Sequence, residues 1–385
     1  MGTRRLLVKL GSHLPEKWEM RAKTAKNEIL RRVRRQVAKK NQELARSPAE
    51  PVQAKTTGYS RGFYGGSMPV FFILGRGRSG TTWLRSILNS HPEILCWGEG
   101  RFFERSFKWE DFEQSQLKNI PPSSLYGAIL ESGYLRAWIE RSVWTMGKET
   151  DRHLNNLTRL AIDYFLAEQL SKTSMRIIGD KTPYVSAEVV EEISVIYPEA
   201  RIIHIIRDGR DVAVSMIHHM WNHPKNEGGV YDLEPEELEK RHAYREGSLV
   251  PPAESLFTKE RLARIATDWS TEVGKATEDG PALLGDNYAE VRYEDLLERP
   301  VEEARRLLDF LDADGSEEAA KRCVEVTGFE QMSNRKRGQE DSSSRARKGV
   351  TGDWRNVFTE EDKCVFKEVA GDLLVELGYE EDGNW

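Results

Sequence analysis

The segment Gly75-Arg76-Gly77-Arg78-Ser79-Gly80-Thr81-Thr82 has the residue types of an anion cradle. Its glycines let the backbone approach a bound group closely, and the amides of a helix that starts there point at negative charge. The spacing is that of a nucleotide-binding P-loop, except that Thr81 stands where the Walker pattern puts lysine. Arg78 supplies the charge that glycines lack, and Ser79, Thr81 and Thr82 add hydroxyls; a plain Gly-rich turn is the competing reading. A second candidate is Arg207 with Ser215, eight residues later in RIIHIIRDGRDVAVSM. An arginine at a strand tip and a serine on the next helix converge on one anion through charge-assisted hydrogen bonds, unless Arg207 is spent on Asp208 or Asp211.

Positioning these residues takes a sheet. PVFFIL at 69–74 is short, β-prone and almost wholly apolar, as a buried parallel strand is, and it runs into the glycine loop and then a helix with Leu84, Ile87 and Leu88 on one face. RIIHII at 201–206 repeats the arrangement, with a helix after it. Further helices are predicted from about Leu154 to Leu170, over SAEVVEEISVIY, around 259–276, over 300–311 and at about 360–377, with a strand at 288–293. This order predicts an α/β class, a P-loop-containing fold with a mostly parallel central sheet flanked by helices. Residues 222–258, rich in Pro, Gly and charge, break the rhythm as an acceptor-site insertion or a surface excursion.

The net charge of −6 gives no reason to expect nucleic acid as a partner. It hides an asymmetry: residues 1–46 hold fourteen Lys/Arg against four Asp/Glu, which leaves the remainder about 16 units negative. Residues 17–46 read as a basic helix with a thin apolar stripe, suited to packing on the main domain, to a protein partner or to the surface of an anionic membrane. The following stretch to residue 68 reads as a linker or wrapping arm, so residues 1–68 stand apart from a domain at 69–385. The longest apolar run near the start, 69–74, is far short of the roughly 20 residues of a membrane-crossing helix. With only a weak signal-like start, a cytoplasmic location is expected, peripheral to a membrane if the basic helix rests on one. Cys96, Cys323 and Cys364 are scattered, which argues against a disulfide framework or a structural zinc.

GRGRSGTTWLRSILNSHPEI resembles the 5′-phosphosulfate-binding loop and helix of the sulfotransferase superfamily. The resemblance implies 3′-phosphoadenosine 5′-phosphosulfate as donor, with no metal required. It places Arg78 at the transferring group, Ser79, Gly80, Thr81 and Thr82 on the 5′ phosphate, and Trp83 beside adenine. Arg207 and Ser215 match the pair that clamps the 3′ phosphate. VRYEDLLERP resembles the element whose tyrosine, here Tyr293, nears the adenosine. RKGVTGDWRN at 347–356 resembles the late motif of cytosolic members, making Arg347, Lys348 and Gly349 further 3′-phosphate ligands and Trp354 an anchor.

Transfer also needs a base for the acceptor proton. GEGR resembles the segment in which tyrosylprotein and bacterial members carry a catalytic glutamate, which points to Glu99; a salt bridge to Arg101 is the competing role. Asp180 and His153 are alternative bases, although His153 lacks the flanking pattern of the cytosolic branch, and His204 reads as a structural ring in its strand. Lys181, in GDKTP, is expected to stabilise the departing nucleotide or orient Glu99, while Asp180 is otherwise a helix cap with Pro183. The acceptor implied is a small-molecule or metabolite hydroxyl, with an amine as second choice. A P-loop kinase and a catalytically inactive nucleotide-binding interaction protein are the rivals; the lysine missing at position 81 and the paired phosphate motifs count against the kinase.

Overall fold

The computed structural model describes residues 68–103, 124–130, 132–182, 188–328, 330–331, 335–336, 338–339 and 348–385. Residues 1–68, the expected arm, thus lie outside the described residues except for Met68. Five strands, β1 (Val70–Leu74), β2 (Ile94–Gly98), β3 (Ile177–Thr182), β4 (Arg201–Ile206) and β5 (Tyr288–Arg292), form one sheet in the order β2-β3-β1-β4-β5. Every pairing is parallel, with Phe72 opposite Asp180 on one side of β1 and Ile202 on the other.

The helices are α1 (Thr81–Asn89), α2 (Leu125–Leu130), α3 (Gly133–Arg141), α4 (Thr150–Leu170), α5 (Val189–Ile196), α6 (Gly209–Asn222), α7 (Pro235–Glu246), α8 (Lys259–Leu284), α9 (Tyr293–Glu298), α10 (Pro300–Phe310), α11 (Glu317–Glu325) and α12 (Glu360–Glu376). Alternation along β1 explains how they are layered. Val70, Phe72 and Leu74 face a core shared with Ile162 of α4 and Ile193 of α5, whereas Phe71 and Ile73 face one shared with Leu84 of α1 and Leu307 of α10. A third core joins α6, α8 and α12 through Trp269 and Phe366. Leu249, Leu256 and Phe257 are buried in it, so the 222–258 stretch is packed against the domain rather than looped away from it.

Two boundaries depart from the sequence expectation. Helix α8 was expected to end near 276, ahead of Gly280 and Pro281, yet it continues to Leu284. Gly280 there lies against the Tyr288 ring, where a Cβ would come within 2.3 Å of it, so tertiary packing overrides the local break. The strand expected to include Tyr293 ends at Arg292, and Tyr293 opens α9.

Because all strands run the same way, their carboxyl ends lie along one rim. That rim carries Glu99 after β2, Lys181 within the last turn of β3, the 75–80 loop after β1, Arg207 after β4 and Tyr293 after β5. The sheet order therefore lays the candidates out in space as Glu99, Lys181, glycine loop, Arg207, Tyr293. At about 4.8 Å per neighbouring strand, roughly 14 Å of rim separates β2 from β4.

The start of α6 is fixed to the C-terminal segment by Arg210, which is fully buried. It donates from Nε to Asp208 Oδ1 at 3.0 Å and from Nη2 to Oδ2 at 2.8 Å, and also meets Glu380. Its guanidinium lies 3.9 Å from the Trp354 ring and 4.5 Å from that of Trp385. Arg210→Ala leaves the Asp208 carboxylate buried without this partner and is expected to cost about 3–5 kcal/mol, read from the midpoint of urea unfolding.

Candidate functional site

The loop after β1 is held in a conformation that ordinary residues avoid. Arg78 has φ +76° and Gly80 φ +93°, and only glycine takes the left-handed region without cost. A side chain at Gly80 would also collide with Tyr293, whose Cδ2 stands 2.5 Å from an ideal Cβ. Gly80 is the N-cap of α1 and offers no side chain to its first amides, which leaves them for an anion. The loop is tied down through Arg76, whose Nη1 donates to Glu272 Oε1 at 2.6 Å and Nη2 to Asp268 Oδ2 at 3.1 Å, both on α8.

Arg207 draws the dispersed segments together. Its Nη1 donates to the Arg78 carbonyl at 3.2 Å and its Nη2 to the Val350 carbonyl at 3.1 Å, and its guanidinium lies 4.4 Å from the centre of the Tyr293 ring. The glycine loop, the late segment at Val350 and the tyrosine that opens α9 thus share one cation. Asp211 is 3.7 Å from Arg207 Nη2, so that ion pair coexists with these contacts. Its main work is elsewhere: Oδ2 accepts from the Gly352 amide at 2.7 Å and Oδ1 from that of Trp354 at 3.0 Å, which secures the late loop. Arg207 Nε and Ser79 Oγ are buried and have no hydrogen-bond partner among the described residues. Orphaned buried polar atoms are rare, and two of them flanking a helix N-terminus fit a site made to receive an external anion.

Some candidates sit differently from their expected roles. Arg78 Nε donates to Ser215 Oγ at 3.0 Å, so two residues expected at opposite ends of a donor are in contact. Lys348 Nζ is directed at Asp353, 3.0 Å and 3.3 Å from its two oxygens, and Gly349 has φ +64°. Trp83 donates its Nε1–H to the Thr327 carbonyl at 3.0 Å and sets its ring edge-on to Tyr293, centroids 5.8 Å apart. Arg347 and Pro183 lie outside the described residues. Trp354 is buried against Arg210, as an anchoring residue is.

At the other end of the rim, buried Lys181 donates from Nζ to Oε1 of exposed Glu99 at 2.8 Å, and the Glu99 amide donates to the Lys181 carbonyl at 2.7 Å. Glu99 has φ +64°, a second non-glycine residue in the left-handed region on this rim. Glu99 forms an ion pair with Lys181. The helix start expected at Pro183 falls outside the described residues, and Asp180 lies within β3. Its Oδ1 accepts from the Gly100 amide at 3.0 Å and its Oδ2 from the Thr182 hydroxyl at 3.2 Å, so it braces the loop bearing Glu99. Burial pushes its carboxyl up to about 6, against the lowering pull of the Gly100 amide, the Thr182 hydroxyl and Lys181.

His204 is fully buried, with Nδ1 2.7 Å from the Tyr288 hydroxyl, and burial pushes it down to about 3, which keeps the ring neutral. His153 lies on the first turn of α4. Among the described residues, no group of three or more His, Cys, Asp or Glu could hold a metal ion. Sequence reasoning missed the parts played by Arg76 and Asp211, because their partners are remote in the chain and carry no local signal.

Comparison with known proteins adds the chain's relations. A family model described as the sulfotransferase domain matches residues 69–378. A putative protein-tyrosine sulfotransferase of Caenorhabditis briggsae is 25% identical over 317 residues, 81% of this chain and 89% of that protein. The nodulation protein NoeE of Sinorhizobium fredii is 28% identical over 329 residues, 81% of this chain and 66% of that protein. Among solved structures, a mouse sulfotransferase complexed with PAP superposes with a TM-score of 0.46 at 17% identity, covering 80% of this chain and 84% of that one.

The Asp180 bracing carries a pH signature. Its folded value of about 6 exceeds the ordinary 3.8, so the folded chain holds an extra proton between them and loses relative stability as pH rises through that window. Asp180→Asn keeps an acceptor for the Gly100 amide and removes the titration. The unfolding free energy of the unmodified chain minus that of D180N should fall by about 2 kcal/mol from pH ~4 to pH ~7; a difference that does not change with pH contradicts the assignment.

Proposed function

The chain belongs to the sulfotransferase family, and from that premise we propose that it moves a sulfuryl group from 3′-phosphoadenosine 5′-phosphosulfate to a hydroxyl acceptor by direct in-line transfer. The observation that carries this reading is the layout along the strand tips. An anion cradle after β1 lies between an arginine-centred junction after β4 and a carboxylate–lysine pair at the ends of β2 and β3.

In this reading Ser79, Gly80, Thr81 and Thr82 hold the 5′ phosphate, with the amides at the start of α1 as principal donors. Arg207, Ser215, Lys348, Gly349 and Arg347 receive the 3′ phosphate. The orphaned Arg207 Nε supports this, and Lys348 exchanges its contact with Asp353 for the ligand. Tyr293 and Trp83 provide an aromatic wall for the adenosine. The acceptor lies on the β2 side, where Glu99 takes its hydroxyl proton as the oxygen attacks sulfur. The bond from sulfur to the bridging phosphate oxygen breaks, and its electron pair leaves on adenosine 3′,5′-bisphosphate. Arg78 and Lys181 oppose the charge that builds on the transferring group and the bridging oxygen. Lys181 also fixes the direction of the Glu99 carboxylate, which general-base catalysis requires before it requires anything else.

Donor-dependent sulfation of a panel of alcohols, phenols and amines tests the activity. Glu99→Gln is expected to lower kcat by about 10²–10⁴ while binding of adenosine 3′,5′-bisphosphate stays within about twofold. Unchanged turnover removes Glu99 as the base, and absence of sulfation with every acceptor in the unmodified chain removes the reading.

A further inference from the structure

The turn between α3 and α4 has its polarity reversed. Val143, Trp144 and Met146 are 85%, 87% and 75% exposed, while the neighbouring Ser142 and Thr145 are half-buried. The polar groups serve the backbone. Thr145 Oγ1 donates to the carbonyls of Ile139 and Ser142 and accepts from the Gly147 amide, Ser142 Oγ accepts from the Trp144 amide at 3.2 Å, and the Lys148 amide donates to the Thr145 carbonyl at 3.2 Å. Gly147, at φ +64°, folds back against the Glu140 carbonyl, where a Cβ would stand only 2.7 Å away. The result is a compact knob that bonds much of its own backbone and offers apolar side chains outward.

In water this arrangement leaves large apolar side chains exposed for no internal gain. At a lipid interface it is favourable on two counts. Backbone groups already bonded internally enter a low-dielectric region without further cost, and Trp and Tyr partition to the headgroup level. On α3, exposed Tyr134 and Trp138 follow at i,i+4 spacing and extend the aromatic surface.

The charges around the knob agree. Its acidic neighbours are engaged: Asp151 with Arg136 at 2.9 Å, Glu140 with Arg136 at 4.0 Å, and Glu149 with Arg152 at 2.5 Å. Arg141 and Lys148, exposed on either side of the knob, remain to meet lipid phosphates. Elsewhere in the same chain, residues 1–46 carry ten more basic than acidic side chains, and each cation near an anionic surface contributes about 1 kcal/mol. Stable peripheral attachment takes two signals, one apolar and one electrostatic, and no helix among the described residues is long and apolar enough to span a bilayer.

We propose that the 142–147 turn inserts Val143, Trp144 and Met146 into the interface of an anionic bilayer, with the basic N-terminal stretch as the second, electrostatic signal. This attachment does not depend on the reaction assigned above. The test is flotation of the full chain with vesicles of phosphatidylcholine and phosphatidylserine, against vesicles of phosphatidylcholine alone. The full chain is expected to float with the mixed vesicles and much less with the neutral ones. The exposed double variant Trp144→Ala/Met146→Ser is expected to bind the mixed vesicles about tenfold more weakly or worse, with its thermal unfolding unchanged. Brominated lipid is expected to quench the tryptophan emission of the unmodified chain more than that of the variant. Equal flotation of variant and unmodified chain overturns the proposal. So does failure of the unmodified chain to float, which would turn the knob over to a protein partner.

Discussion

The guanidinium of Arg207 is the constraint on which the rest of the rim depends. Held in the loop after β4, it donates to a carbonyl of the glycine loop and to one of the late loop, and lies against the Tyr293 ring. An arginine this largely enclosed cannot shed its charge, so these acceptors stabilise it wherever the fold forms. Three distant segments thereby meet around one cation. Around it the other devices are secondary anchors: Arg76 ties the glycine loop to α8, Asp211 ties the late loop to α6, and Arg210 ties the C-terminal tryptophans to the same helix.

The ends of the rim are organised differently. On the β4 side, cations and amides gather where phosphates are expected. On the β2 side, one lysine and one half-open carboxylate meet above a buried aspartate. Arg78 and Glu99 both occupy the left-handed region, which for residues other than glycine costs of order 1–3 kcal/mol each. Such strain persists only where surrounding contacts over-determine it. Here those contacts are the Arg78 bonds to Ser215 and Arg207, and for Glu99 the backbone and side-chain bonds to Lys181. Two strained residues at the proposed transfer point are consistent with side chains held in place before a ligand arrives.

How much of this was legible beforehand depended on whether the signal was local. The apolar runs at 70–74 and 201–206, each entering a turn and a helix, revealed the central strands and the loops that follow them. The glycines of 75–80 revealed the cradle, because a close approach and a positive φ at Gly80 leave little other choice of residue. Glu99 is proposed from family likeness rather than spacing, since nothing local announces that β2 ends beside Lys181. The contacts that fix the site were not legible: Arg76 meets partners on α8, and Asp211 meets amides beyond position 350. A helix carried through Pro281, with Gly280 set against the Tyr288 ring, reflects tertiary context overriding the local rule.

The most direct measurement is calorimetric titration of adenosine 3′,5′-bisphosphate into the unmodified chain and into Arg207→Lys, which keeps the charge but loses the planar fork. If one guanidinium joins both phosphate loops, the unmodified chain binds the bisphosphate more tightly than it binds ATP, and R207K, still folded by circular dichroism, binds it at least about tenfold more weakly. Equal affinity of the two chains, or no heat from either, would contradict the account.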